Sequence, residues 1–223
     1  VNTTSGFSII KYLGNGSSGH TIPHHLSAVP QFIVVKSLDR GTNWITYQAP
    51  LGAGKFLRLN QTNAESTSSS RWNDTTPTST VFTVGNDGDL NNNDENYIAY
   101  IIANVQGYSK IGSYVGNGNA DGTFVYTSFK PAWIMIKVTS TTSNWGMFDN
   151  KRLGFNPKNE FVRANETAAE SSDYNGIDFL SNGFKLKTTS TLVNAAQTYI
   201  YMAFAENPFV TSTDNGSIPA TAR

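Results

Sequence analysis

Short apolar runs separated by polar, Gly/Asn/Ser/Thr-rich stretches mark this chain from end to end. The strongest are QFIVVK (Gln31 to Lys36), YIAYIIA (Tyr97 to Ala103), AWIMIK (Ala132 to Lys137) and YIYMAFA (Tyr199 to Ala205). Weaker runs are NWITY (Asn43 to Tyr47), VFTV (Val81 to Val84), TFVYTSF (Thr123 to Phe129), NWGMF (Asn144 to Phe148) and GFKLKT (Gly183 to Thr188). They are rich in β-branched and aromatic residues and bounded by turn formers, the signature of strands. Helical periodicity is weak throughout; the best short candidate is NETAAESS (Asn165 to Ser172). The pattern predicts an all-β chain of sandwich or jelly-roll type.

The pattern also repeats. Pro30 and Pro131, Lys36 and Lys137, Asn43 and Asn144, and Trp44 and Trp145 are each 101 residues apart. Tyr12 and Tyr114 lie 102 apart, as do the Gly-Asn-Gly units in YLGNGSSG and YVGNGNADG. YIAYIIAN matches YIYMAFAE, and Leu90, Asn92 and Glu95 match Leu192, Asn194 and Gln197, all at 102. Matches in one order at one spacing indicate a tandem duplication. Two pseudo-repeat lobes follow, 1–106 and 107–223, the second ending in a tail from about 208–223. The junction ANVQGYSKIG (Ala103 to Gly112) has no linker composition, so the lobes are expected to be tightly joined. Within each copy the order predicts a hairpin turn at Gly-Asn-Gly and a closing pair of strands.

Composition narrows the function classes. The 223 residues carry 16 basic and 16 acidic side chains, so no charge footprint for nucleic acid or an anionic membrane exists. Charged residues are only 14%, against roughly a quarter in ordinary domains; hydroxyls and amides wet the surface instead. With no cysteine, disulfides, thiolate metal sites and cysteine nucleophiles are excluded. No run approaches the length of a membrane span. VNTTSGFSII lacks the charge and apolar pattern of a signal peptide and reads as a cut from a longer chain. The sequons at Asn2, Asn15, Asn60, Asn73, Asn165 and Asn215 follow from the composition.

Candidate chemistry is sparse. A phosphate loop needs a helix after its glycines, and neither Gly-Asn-Gly unit has one. Asn-Gly tolerates positive φ, so both units read as turns between strands. His20, His24 and His25 fall within six residues; without an acidic neighbour they read as hydrogen-bonding residues before metal ligands. In GNDGDLNNNDEN (Gly85 to Asn96), Asp87 and Asp89 begin like an EF-hand loop. The required Gly and Glu are replaced by Asn92 and Ile98, so the match fails. A solvated loop is the default reading; a calcium site from Asp87, Asp89 and Asp94, or a glycosidase pair from Asp87 and Asp89, is the alternative. Trp44 and Trp145 occupy equivalent strand positions and read as core. Trp72, inside SSSRWNDTT, has no counterpart and reads as a surface contact, where a flat ring stacks on sugars. The binding candidates are Trp72, Asp87, Asp89, His24 and His25; no catalytic residue, metal ligand or cofactor is assigned.

GFSIIKYLGNGSSG, PHHLSAVPQFIVVK, GYSKIGSYVGNGNADGTFVYTSFKPAWIMIK, IDFLSNGFKLK and YIYMAFAENPF, with the terminal IPATAR, resemble a β-rich domain of tailed-bacteriophage proteins. That domain is often found at the C-terminal end of virion or tail-fibre-like chains, downstream of concanavalin-like or laminin-G-like lectin domains. The resemblance runs from Gly6 to Arg223. It implies a non-enzymatic virion structural protein on the particle exterior, tail-fibre or tail-associated, with a capsid decoration or head-fibre protein as the alternative. A polysaccharide depolymerase is the less favoured reading. The implied partners are other virion proteins, further copies of the chain in a homo-oligomer, and a host-surface glycan, with no nucleic acid and no membrane.

Overall fold

The computed structural model describes residues 1–153, 155–172, 176–208, 210–212 and 216–218. It is all-β, and the chain divides into two compact units, Val1–Asn104 and Val105–Arg223. The first unit holds β1 (Phe7–Leu13), β2 (His20–Pro23), β3 (Phe32–Ser37), β4 (Ile45–Gln48), β5 (Lys55–Arg58) and β6 (Ser66–Thr67). The one-turn helix α1 (Ser69–Trp72) follows, then β7 (Val81–Val84), the one-turn helix α2 (Gly88–Asn91) and β8 (Asn96–Ile102). The second unit holds β9 (Ser109–Val115), β10 (Phe124–Tyr126), β11 (Pro131–Val138), β12 (Gly146–Asp149) and β13 (Val162–Arg163). It continues with β14 (Ile177–Leu180), β15 (Gly183–Leu186), β16 (Thr198–Ala205), β17 (Val210–Ser212) and β18 (Gly216–Ile218).

Each unit is a sandwich of one large and one small antiparallel sheet. In the first, the order β1-β8-β3-β4-β5-β6 faces the pair β2–β7. Ile33, Val35, Ile45, Tyr47 and Phe56 from the large sheet close on Ile22, Phe82 and Val84 from the small one. In the second, β13-β12-β11-β16-β9 faces β10-β15-β14, with Ile134, Ile136, Phe148 and Tyr201 closing on Val125, Phe179 and Phe184. Alternate residues point inward because the strand period is two, so inward-facing apolar residues of the long strands build the core of each unit. Of the tail from about 208–223, β17 pairs with β18; residues 209, 213–215 and 219–223, Arg223 included, lie outside the described residues.

Three expectations about local structure are corrected. The Gly-Asn-Gly segments are not hairpin turns: β1 pairs with β8 while β2 pairs with β7, so residues between them cross from one sheet to the other. The second unit repeats this, with β9 on β16 and β10 on β15. The closing strands likewise do not pair, since β7 and β8 belong to different sheets, as do β15 and β16. Turn chemistry identifies where the chain turns but not which sheet it joins next. Asn165–Ser172 is not helical. Its start follows β13, and Phe161 and Ser171 exchange backbone hydrogen bonds at 3.0 Å, so pairing consumes the groups a helix would need.

Candidate functional site

Features built twice are devices of the fold; features built once are the candidates for function. The Gly-Asn-Gly crossover is built twice. Asn91, fully buried at the end of α2, accepts at Oδ1 from Asn15 N–H (2.9 Å). Its Nδ2 donates to Asn15 Oδ1 (3.1 Å), Ser17 O (2.9 Å) and Gly85 O (2.8 Å). Asn194, also fully buried, accepts from Asn117 N–H (3.2 Å) and donates to Asn117 Oδ1, Asn119 O and Thr188 O. Gly16 and Gly118 adopt φ of 67° and 65°, and each donates its N–H to the backbone carbonyl of that asparagine. The first glycine of each unit is dictated by space: a Cβ on Gly14 or Gly116 would stand 2.1 Å from Asn92 O or Ala195 O. The structural partner of Asn194 is therefore Asn91, not Asn92, and Leu90 corresponds to Val193, each accepting from the equivalent tyrosine hydroxyl.

The histidines resolve against the same comparison. His24 is fully buried; its Nδ1 accepts from Leu26 N–H (3.2 Å), so Nε2 carries the proton toward Thr78 O (3.1 Å). Burial holds its pKa below the ordinary histidine value, against the pull of the Thr78 carbonyl. In the second unit Thr127 sits in this place, fully buried, with Oγ1 donating to Phe129 O. The backbone N–H groups of His24 and Thr127 bond Thr80 O and Asn182 O. His25 and Ser128 follow at φ of 60° and 72°, and His25 is exposed. His20 Nδ1 meets Asn91 Oδ1 at 3.0 Å. His24 is thus a turn lock, and the three histidines do not converge on one point.

Trp72 is not a surface residue. It is 1% exposed, in the first unit's core, edge-on to Tyr47 and Phe82. Ser69 is exposed on α1 while the Arg71 and Trp72 side chains both turn in; one turn of helix is too short to show periodicity. Asp87 and Asp89 face Arg71, whose Nη1 lies 2.5 Å and 2.7 Å from their carboxylates. Asp87 also caps α2 by accepting from Asp89 N–H, and the Arg71 guanidinium stacks over Phe56 at 4.7 Å. The pair is a clasp between α1 and α2. Asp94 stands apart from it, accepting at Oδ2 from Asn93 Nδ2. Trp145 is buried, but Trp44 is half-buried against Tyr100, and both precede their strands instead of lying within them.

A cleft of about 100 Å³ in the second unit is lined by Lys130, Asn150, Phe155, Asn156, Lys158, Phe179 and Glu206, side chains that the first copy does not repeat. Glu206, just past β16, takes Lys130 Nζ at 2.8 Å and Asn150 Nδ2 at 2.7 Å. The lysine holds its carboxyl below the usual range. Asn156 bonds both backbone groups of Phe179, at 2.9 Å each. Lys158 is 3% exposed and donates to Leu153 O (2.6 Å) and Phe155 O (3.2 Å). Burial, and then the neighbouring Lys130, lowers its pKa. Phe155 is 69% exposed above this polar floor.

None of these seven was singled out from sequence. The available signal was divergence between the copies: Ala49 stands where the second copy has Asn150, and Asn104 where it has Glu206. No curated protein and no solved structure matches the chain. Residues 1–208 match the model of one family, and the chain accordingly belongs to it: Domain of unknown function (DUF7483).

Proposed function

We propose that this chain is a non-enzymatic structural module of a tailed-phage virion, at the tail or in a tail fibre, that assembles with itself and other virion proteins and contacts a host-surface glycan. The likeness of its long sequence phrases to phage virion domains supports the virion reading. A surface of hydroxyls and amides with 14% charged residues suits an exposed particle component. The observation that carries glycan contact is the unduplicated cleft, where an exposed aromatic ring stands beside two carboxamides and a lysine–glutamate pair. Rings stack on the apolar faces of sugars while such polar groups address hydroxyls. The carboxylates weighed for hydrolysis, Asp87 and Asp89, are committed to Arg71.

Antibody against this chain, applied to intact particles of the phage that encodes it, is expected to label the tail. Label on the capsid shell would favour a decoration protein, and particles without label would overturn the virion assignment. Host capsule or lipopolysaccharide incubated with the purified chain is expected to stay intact; product release abolished by Asp87→Asn would overturn the non-enzymatic reading.

A further inference from the structure

We propose that the Phe155 cleft is a binding subsite for a carboxylate-bearing sugar residue, an inference that rests on the reading of the chain as a glycan-contacting module. The lining carries two ammonium groups, Lys130 and Lys158, against one carboxylate, Glu206, and so holds one excess positive charge. A neutral sugar leaves that excess in place; a uronic or nonulosonic acid offsets it with a charge-assisted hydrogen bond. Lys158 is already drawn out of water, and Lys130 opposes its protonation. A carboxylate entering the cleft favours the charged form of Lys158.

The walls are fixed before any ligand arrives. Asn156 is pinned to Phe179 by two hydrogen bonds, and Lys158 bonds the carbonyls of Leu153 and of Phe155 itself. The Lys158 ammonium also lies 5.9 Å from the Phe179 ring centre, which closes the floor. Pre-set geometry lowers the ordering cost that a shallow site would otherwise meet. Phe155 is more exposed than any other large apolar side chain among the described residues, and nothing in its own unit's core requires it there. The small volume suits a single ring, with the rest of a glycan running out over Phe155.

The test is titration of the purified chain, followed by NMR shifts and calorimetry, with the methyl glycosides of glucuronic, galacturonic and N-acetylneuraminic acid, and with methyl glucoside as the neutral comparator. Saturable, low-millimolar binding of at least one acidic glycoside is expected, as suits a one-ring site. Phe155→Ala and Lys130→Gln are each expected to weaken it about tenfold or more. Phe124→Ala, at another exposed aromatic, leaves it unchanged. Unchanged melting temperatures establish that the variants are folded. Equal binding of methyl glucoside, or failure of all three acids to bind, overturns the subsite. Acid binding that survives Phe155→Ala places glycan contact elsewhere, which overturns the subsite and leaves the functional proposal standing.

Discussion

Asn91 and Asn194 show how one side chain can determine a crossover. Each is fully buried and ties loop carbonyls and an amide to one side chain; of these partners Gly85 is buried, while Asn15, Ser17, Asn117 and Asn119 lie on the exposed side of the loop. Buried polar groups left unpaired cost about 1–3 kcal/mol each. Asn91→Ala strands the buried Gly85 carbonyl and frees the more exposed Asn15 N–H and Ser17 carbonyl, so a loss of roughly 1–3 kcal/mol is expected by chemical denaturation. Asn194→Ala should cost a similar amount, because the same contacts recur. A loss under about 0.5 kcal/mol at both sites would mean that water replaces the amide and that the glycines alone hold the crossover. Gly14 and Gly116 were legible from sequence as backbone signals. What they do was not, because their neighbours, Asn92 O and Ala195 O, lie some 80 residues along the chain.

Strands were legible as short apolar runs bounded by turn formers; β3, β8, β11 and β16 fall on the four strongest, and of these only β8 alternates buried and half-buried residues throughout. Pairing was not legible, because a turn residue reports a local reversal and says nothing of the destination sheet. α1 and α2 were hidden for another reason. Four residues give no period, and their geometry comes from the Arg71 clasp, an interaction between residues separated by the whole of β7. The Arg71 side chain is 10% exposed, flanked by Asp87, Asp89 and the Phe56 ring. Arg71→Met keeps the stem and removes the charge, leaving two carboxylates facing one another without their cation. A destabilisation of roughly 2–4 kcal/mol is expected in urea unfolding. Adding Asp87→Asn and Asp89→Asn to Arg71→Met should recover part of it, since the repulsion is gone. If Arg71→Met proves neutral, the clasp contributes no net stability and α1 is held by Trp72 alone.

Duplication was the most informative whole-chain signal. It separates the repeated locks from the unrepeated lining of the second unit's cleft, whose seven residues come from positions scattered along the sequence. The two copies also bury titratable groups unequally, and this sets a pH profile for the molecule. Lys36 and Lys137 both curl back onto the carbonyls of the turn that follows. Lys137 is fully buried, and loss of water lowers its pKa to about 8, from 10.5 in an open chain. The unfolded chain therefore binds more protons than the folded one between these values, and stability rises with pH across that window. The span corresponds to roughly 3 kcal/mol at most. Tyr201 works in the opposite sense: burial pushes it up to about 12, so ionisation above pH 10 favours the unfolded chain. His24, held neutral by burial, withdraws stability as pH falls through and below the ordinary histidine range. The expected profile falls on the acid side, climbs from pH 8 to a maximum near 10 and declines beyond it. Lys137→Met should reduce the climb between pH 8 and 10 to the part that Lys158 contributes, while leaving the acid flank in place. Denaturant midpoints measured at half-unit steps from pH 5 to 11 would read this directly. A wild-type curve flat between pH 8 and 10 would mean that Lys137 keeps its proton in the folded state, with carbonyls from the Val138 to Thr141 turn solvating the ammonium as well as water does.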